Sequence, residues 1–445
     1  MSAIEFMDSL SFAHVMALAL LQAAAFFMLY GVAKNRQPGF LDPFTLTIFF
    51  SASAWSTVLF LYFTDRCSAR LLMSFLLTNV AFFVAYLAAA PRYSRFGGGL
   101  PVVGGPQTTL KFKIFGLIVC SLYFSFMAYN LAVFGFGIQH EARLEIYTNS
   151  QGLGILKRGM DALMPAAIFV LVRHALREHH FVKICSYILL LLLIFANTVL
   201  DGSKSGIVQF ALVCVVSVAW FRRWGYLPRV GQFSFVKFVI FAVVAVLVAG
   251  AVLAIQMDAY KNFESLRVVG SILLFRLLVA GDIFILAYPN EIIDKIALAY
   301  HPLVILFNDP ISVFRLMKIE VVPLGNQLYN YFLTDRLVES GGPNSHLAIY
   351  SYYLFGDFGG PIFSGIFGLL YGAIRRGVWI AKGGRLVAGA VYVTLLSNAS
   401  AILIDPSYSV IRLTNILIFL IPVALVFSFT LKVRHEDRGN SAKLV

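Results

Sequence analysis

Eleven apolar runs, each near the length needed to cross a bilayer, leave this chain few folds to adopt. They lie at about 12–33, 43–63, 71–90, 113–136, 155–172, 184–200, 206–221, 234–256, 346–372, 386–404 and 412–431. A helix crossing hydrocarbon needs about 20 apolar residues, and its backbone groups must be bonded within the segment. Charge points the same way, because 13% of the residues are charged against about 25% in a soluble domain. The expected fold class is an all-α polytopic membrane protein with about eleven transmembrane helices.

The connections set the orientation. Of 35 lysines and arginines, 21 fall in alternate loops: Lys34–Arg36, Arg92–Lys113, Arg173–Lys183, Arg222–Lys237, Arg375–Arg385 and the tail from Lys432. The bias of Lys and Arg toward the inner side then puts the N-terminus outside and the C-terminus inside. The net charge of +13 is spread between the spans and gathers on no single face, so nucleic acid is not an expected partner. The stretch "VVGSILLFRLLVAGDIFILAY" (268–288) is also long enough to span. Spanning would strand Arg276 and Asp282 in mid-membrane, at roughly 3 kcal/mol each. It is expected to lie in the outer interface or to be re-entrant. The chain then divides into 1–256 with eight spans, a large outer loop at 257–345 bearing amphipathic helices, and 346–445 with three spans and the tail.

Several chemistries have no signature. Cys67, Cys120, Cys185 and Cys214 form no CxxC pair, so no disulfide and no zinc site are expected. "FGGGLPVVGGPQ" (96–107) lacks the Gly-Lys-Ser/Thr ending of a phosphate loop, and no HExxH or His/Cys cluster indicates a metal. The first run has acidic flanks, Glu5 and Asp8, and reads as a retained helix. "GDFGGPIFSGIFG" (356–368) reads as a strip of small residues for close helix packing.

Arginine is the polar residue that stands out on the outer side. Arg143, Arg158, Arg276, Arg315 and Arg336 fall there with Lys157 and Lys204. A guanidinium is always charged and grips phosphate oxygens with a planar fork. The group as a whole reads as an anion site. The bland reading pairs each arginine with a carboxylate or lays it on headgroups. Lys204 sits on the tight turn "DGSKSG" (201–206), where Ser and Gly are ordinary turn residues. His346 opens a span after Pro343 and Asn344. It reads either as a helix cap or as a general base, and both readings stay open.

Three segments carry a family resemblance. "EARLEIYTNSQGLGILKRG" holds Arg143 and Gly154 at an Arg-x10-Gly spacing. "LDGSKSGIVQFALVCVV" joins two spans by a small, polar and basic turn. "LGNQLYNYF", with Tyr329, and "GGPNSHLAIYSYYLFGDFGG" close the large loop. With the topology, these segments resemble the O-antigen polymerases of the Wzy type. A second spacing of the same kind falls one residue short, between Arg315 and Gly325.

The resemblance implies a GT-C-like architecture in the bacterial inner membrane, with a periplasmic N-terminus and a cytoplasmic C-terminus. It implies polymerisation of undecaprenyl-pyrophosphate-linked oligosaccharides into O-antigen or a related surface polysaccharide on the periplasmic face. His346, Arg143 and Arg336 would be catalytic. Arg158, Lys204, Arg276, Arg315, Tyr329 and Gly154 would bind the pyrophosphate and glycan. No cofactor or metal is implied. The implied partners are the lipid-linked donor and acceptor, the bilayer, a chain-length regulator and a flippase. The related O-antigen ligases share the architecture, and a polysaccharide flippase or transporter is a rival of another class.

Overall fold

The computed structural model describes residues 10–37, 42–92, 110–135, 154–177, 180–195, 206–224, 282–317, 321–332, 343–377 and 385–441, with the single positions 197, 226, 247 and 250. Helices make up its regular structure, with no strand among the described residues. In order they are α1 (Phe12–Ala33), α2 (Pro43–Phe63), α3 (Ala69–Ala89), α4 (Leu110–Phe134), α5 (Gly154–Arg177), α6 (His180–Phe195), α7 (Gly206–Arg223), α8 (Asp282–Ala287), α9 (Pro302–Leu306), α10 (Asn308–Val313), α11 (Leu324–Phe332), α12 (Leu347–Arg376), α13 (Leu386–Ala399) and α14 (Pro406–Ser441).

Among the described residues, seven helices are long and apolar enough to cross a membrane: Phe12–Arg36, Pro43–Phe63, Ala69–Ala89, Leu110–Val133, Leu347–Arg376, Leu386–Leu403 and Pro406–Phe427. The protein is a membrane-embedded, polytopic helical protein. The expected count was eleven. The runs at 155–172, 184–200 and 206–221 fall on α5, α6 and α7, of which α6 and α7 are the shorter apolar ones. All but two positions of the run at 234–256 lie outside the described residues.

Local chemistry starts the helices where the sequence allows it. Ser11 accepts the His14 N–H at 3.3 Å, and the His14 ring accepts the Ser11 N–H in return. Asp42 accepts the Phe44 N–H at 2.8 Å, with Pro43 in the first turn of α2. Ser68 caps α3. Each cap satisfies a backbone donor that has no intrahelical partner.

Two groups of helices pack side by side. The first holds α1, α2, α3 and α12. The second surrounds α5, whose residues from Met160 to Ala175 are mostly buried against α4, α6, α7, α13 and α14. The 3-10 turn Ser400–Leu403 joins the groups, and its Ser400 carbonyl accepts the Thr47 hydroxyl.

α12 is bent sharply enough to form a hairpin. Gly356 has φ 68° and ψ −166°, a backbone region closed to residues with a Cβ. A Cβ on Gly360 would lie 3.3 Å from the Ser351 carbonyl, whereas nine residues of straight helix rise about 13.5 Å. Phe355 and Phe363 also meet, with ring centroids 4.7 Å apart. The arm, Leu347–Phe355, therefore folds back along the stem, Asp357–Arg376. The stem lies parallel to α3, because a Cβ on Gly368 would come within 2.3 Å of the Phe82 carbonyl and one on Gly372 within 2.6 Å of Ala89. Gly365 and Gly368, from the small-residue strip expected from the sequence, and Gly372 beyond it meet α3, while Gly360 faces the arm.

At the far end of the stem, Arg375 is 5% exposed and pairs with Asp42, which is 2% to 4% exposed by side chain or whole residue. Arg375 also donates to the Arg36 carbonyl at 2.9 Å and lies against the rings of Phe44, Tyr86 and Tyr371. Arg36 in turn donates to the Ala90 carbonyl. One knot thus ties the α1–α2 turn to the ends of α3 and the stem. Arg36 and Arg375, assigned to the same side from the sequence, meet here.

Candidate functional site

The opposite end of the first helix group gathers the polar side chains. Arg70, in the first turn of α3, reaches both limbs of the hairpin. Its Nη1 donates to the Tyr352 hydroxyl at 2.8 Å and to Asp357 at 3.3 Å. Its Nη2 pairs with Asp294 and lies 3.8 Å from Glu291. The Tyr352 hydroxyl donates to Asp294 as well. Asp294 and Glu291 belong to the 3-10 turn Pro289–Lys295 that follows α8. One guanidinium therefore holds the hairpin bend, α3 and this turn together.

A cleft of about 610 Å³ opens beside Arg70, between Asp65–Ser68 of the α2–α3 turn and Tyr288–Glu291. Among the described residues, four that are not glycine have a positive φ: Asp65 (54°), Asn290 (55°), Glu291 (51°) and Arg315 (52°). Three of them line this one cleft. Such conformations are held only where the surroundings over-determine them, and they concentrate at functional sites. Polar side chains on strained turns at the mouth of a helix bundle make this the candidate site. Burial pushes the Cys67 thiol on its wall up to about 11, and the nearby Glu291 adds to the shift. At neutral pH Cys67 is a protonated thiol and a poor nucleophile. No group of three His, Cys, Asp or Glu side chains suited to a metal occurs among the described residues.

His346 is 5% exposed and lies inside the first helix group, against the rings of Phe75 and Phe284. Its Nδ1 accepts the Ala348 N–H at 3.2 Å, so it caps the arm. A neutral imidazole whose Nδ1 accepts carries its proton on Nε2. That nitrogen faces Ser51 Oγ at 3.4 Å. Both ring nitrogens are engaged, and the geometry favours the cap over the base.

Arg158 holds both oxygens of Asp309, at 2.6 and 2.5 Å, and Lys157 pairs with Asp161 one turn on. This is the bland pairing weighed for them in the sequence. It binds α5 to α10. Gly154 is the first residue of α5 and is half-buried. Tyr329 is half-buried on α11 and packs against the core. Arg315 is exposed, and its side chain has no ion pair or hydrogen bond among the described residues. Arg143, Lys204, Arg276 and Arg336 lie outside the described residues.

Of the segment 268–288, residues 282–288 are described, and 283–288 are buried. Ile283 to Ala287 are at most 1% exposed, and Phe284 packs against Phe75 and His346 inside the bundle. Residues 268–281 of the segment lie outside the described residues. The apolar residues of the described part are buried by α2, α3 and α11 instead of by lipid.

The Arg70 cluster escaped the sequence reading. Arg70 stands at the edge of an apolar run, and its partners lie 224, 282 and 287 residues away. An Asp in the middle of "YYLFGDFGG" was the one available signal, since a carboxylate within apolar sequence needs a partner.

No protein-family model, no curated protein and no solved structure matches this chain.

Proposed function

We propose that this protein is an integral membrane glycosyltransferase of the O-antigen polymerase type, joining undecaprenyl-pyrophosphate-linked oligosaccharide units on the periplasmic face of the inner membrane. The proposal starts from the three resembling segments. One structural observation supports it best: the Tyr288–Glu291 turn, from the long segment that the sequence places between spans, walls the strained cleft beside Arg70. The resemblance gives that segment the task of covering the substrate.

In this reaction the acceptor's sugar hydroxyl oxygen bonds to the donor's anomeric carbon. The bond from that carbon to the pyrophosphate oxygen breaks, and undecaprenyl pyrophosphate leaves with the electron pair. Pyrophosphate is already a competent leaving group, so stabilising its charge matters more than protonating it. In the proposal Arg143 and Arg336 supply that charge, and Arg276 and Lys204 contribute to it. Arg158 stays with Asp309 and positions α10. The hydroxyl proton passes to a carboxylate. Glu291 takes this role in place of His346, because it lines the cleft and His346 is buried and capping. The reaction needs no sugar nucleotide and no metal.

Purified protein supplied with defined lipid-linked units tests the reading. A ladder of polymer on the lipid carrier is expected, with loss in Arg143→Ala and in Glu291→Gln. Transfer only to a lipid A core acceptor would assign the ligase reaction instead. A second reading, transport of the same lipid-linked glycans, draws on the Gly356 hairpin, because broken and re-entrant helices are common in transporters. Translocation across proteoliposomes without polymer would select it.

A further inference from the structure

The fourth strained residue lies away from the cleft. Arg315 closes α10: the Leu316 N–H donates to the Ile311 carbonyl at 2.9 Å and the Arg315 N–H to the Ser312 carbonyl at 3.1 Å. This is the left-handed helix stop that glycine normally fills. Here an arginine fills it, with φ 52°. The stop usually tucks the next apolar residue onto the helix. Here Leu316 is 70% exposed, and its neighbours Phe314 and Met317 are each 59% exposed. Leu303 and Phe307, four apart on the preceding α9 and its end, are also exposed. The tip therefore presents three large apolar side chains and one guanidinium with no ion pair among the described residues, on a backbone conformation that works against its own sequence.

The place of the tip in the fold names its occupant. α10 touches α14, whose Leu417, Leu425 and Val426 are exposed along a membrane-spanning helix. Arg158 also fixes α10 to α5 through Asp309. The helix that carries the apolar tip thus sits against a candidate membrane span and is tied to α5 by an ion pair. Apolar groups at a bilayer interface enter the acyl boundary, while an arginine beside them reaches the phosphate layer. A guanidinium binds a phosphate through two parallel N–H bonds.

We propose that residues Phe314–Met317 form an interfacial anchor, in which Phe314, Leu316 and Met317 enter the bilayer and Arg315 binds a phospholipid phosphate. The anchor is independent of the reaction proposed above, since it needs only the membrane.

The full-length protein in phospholipid vesicles tests it, with p-benzoylphenylalanine in place of Leu316 and the photoproducts read by mass spectrometry. Adducts with phospholipid are expected, and several-fold more of them form when anionic phosphatidylglycerol is present. Arg315→Gly is the informative second change, because glycine accepts the left-handed backbone and removes the guanidinium with its stem. It should abolish the preference for anionic lipid while leaving thermal stability equal or higher, and Arg315→Lys should keep most of the preference. Adducts with a protein, or with no lipid at all, would overturn the anchor. An anionic preference that survives Arg315→Gly would overturn the role of the arginine. Competition by inorganic phosphate would reassign Arg315 to a free anion and equally refute the lipid contact.

Discussion

Replacing Asp42 by Asn should destabilise the protein more than any other single polar change at that end of the bundle. Asp42 and Arg375 are both buried, and removing one member of a buried ion pair leaves an uncompensated charge. That typically costs about 3–5 kcal/mol. Two features moderate the loss: the Arg36 carbonyl still accepts from Arg375, and the rings of Phe44, Tyr86 and Tyr371 still face it. The lower end, about 3 kcal/mol, is therefore expected. Asn keeps the helix cap toward Phe44, so Asp42→Ala should cost about 1 kcal/mol more. The double change Asp42→Asn with Arg375→Met should recover most of the loss, because it leaves no uncompensated charge in the buried site. The assay is unfolding by increasing SDS in mixed micelles, followed by tryptophan fluorescence, for all three variants and wild type. If Asp42→Asn unfolds within about 0.5 kcal/mol of wild type, water reaches the pair and the buried knot is wrong.

Gly356→Ala should cost about 1–3 kcal/mol from backbone strain alone, since no atom lies within 4 Å of the added methyl group; the same SDS titration reads it. Gly368→Ala should lower stability by about 1–3 kcal/mol through overpacking against the Phe82 carbonyl, with disulfide trapping across the α3–stem contact falling in parallel. His346→Asn should leave glycan turnover near normal, because Asn caps helices well; a strong loss of turnover with an intact fold would restore His346 as a base. Cys67 should resist iodoacetamide at pH 7 and react faster as the pH climbs toward about 11, because burial disfavours the thiolate; full labelling at pH 7 would contradict its burial.

The legible part of the fold is the part written in local periodicity. Ten of the eleven apolar runs fall on described helices, and the strip around Gly368 was readable from its small residues. The hairpin was not readable as such, because a hydrophobic run reports burial and length and not direction. Its trace was length: α12 has 30 residues, where about 20 cross a membrane. At the site, the sequence weighed a cap against a base at His346, and only the Ala348 contact tells them apart. The Arg158–Asp309 pair and the Arg70 cluster depend on contacts 151 to 287 residues long, which no window on the sequence can contain.

The knot at Asp42 has a consequence for the order in which the protein is made. Arg375 follows Asp42 by 333 residues. At about 5–20 residues per second, the carboxylate waits roughly 15–70 s for its counterion. During that interval a deep position for Asp42 would leave its charge without Arg375, so the start of α2 is expected at the headgroup layer until the stem arrives. The first helices of the chain thus settle last at this end, and a chain cut short before residue 375 keeps a marked, unpaired carboxylate that distinguishes it from the finished protein.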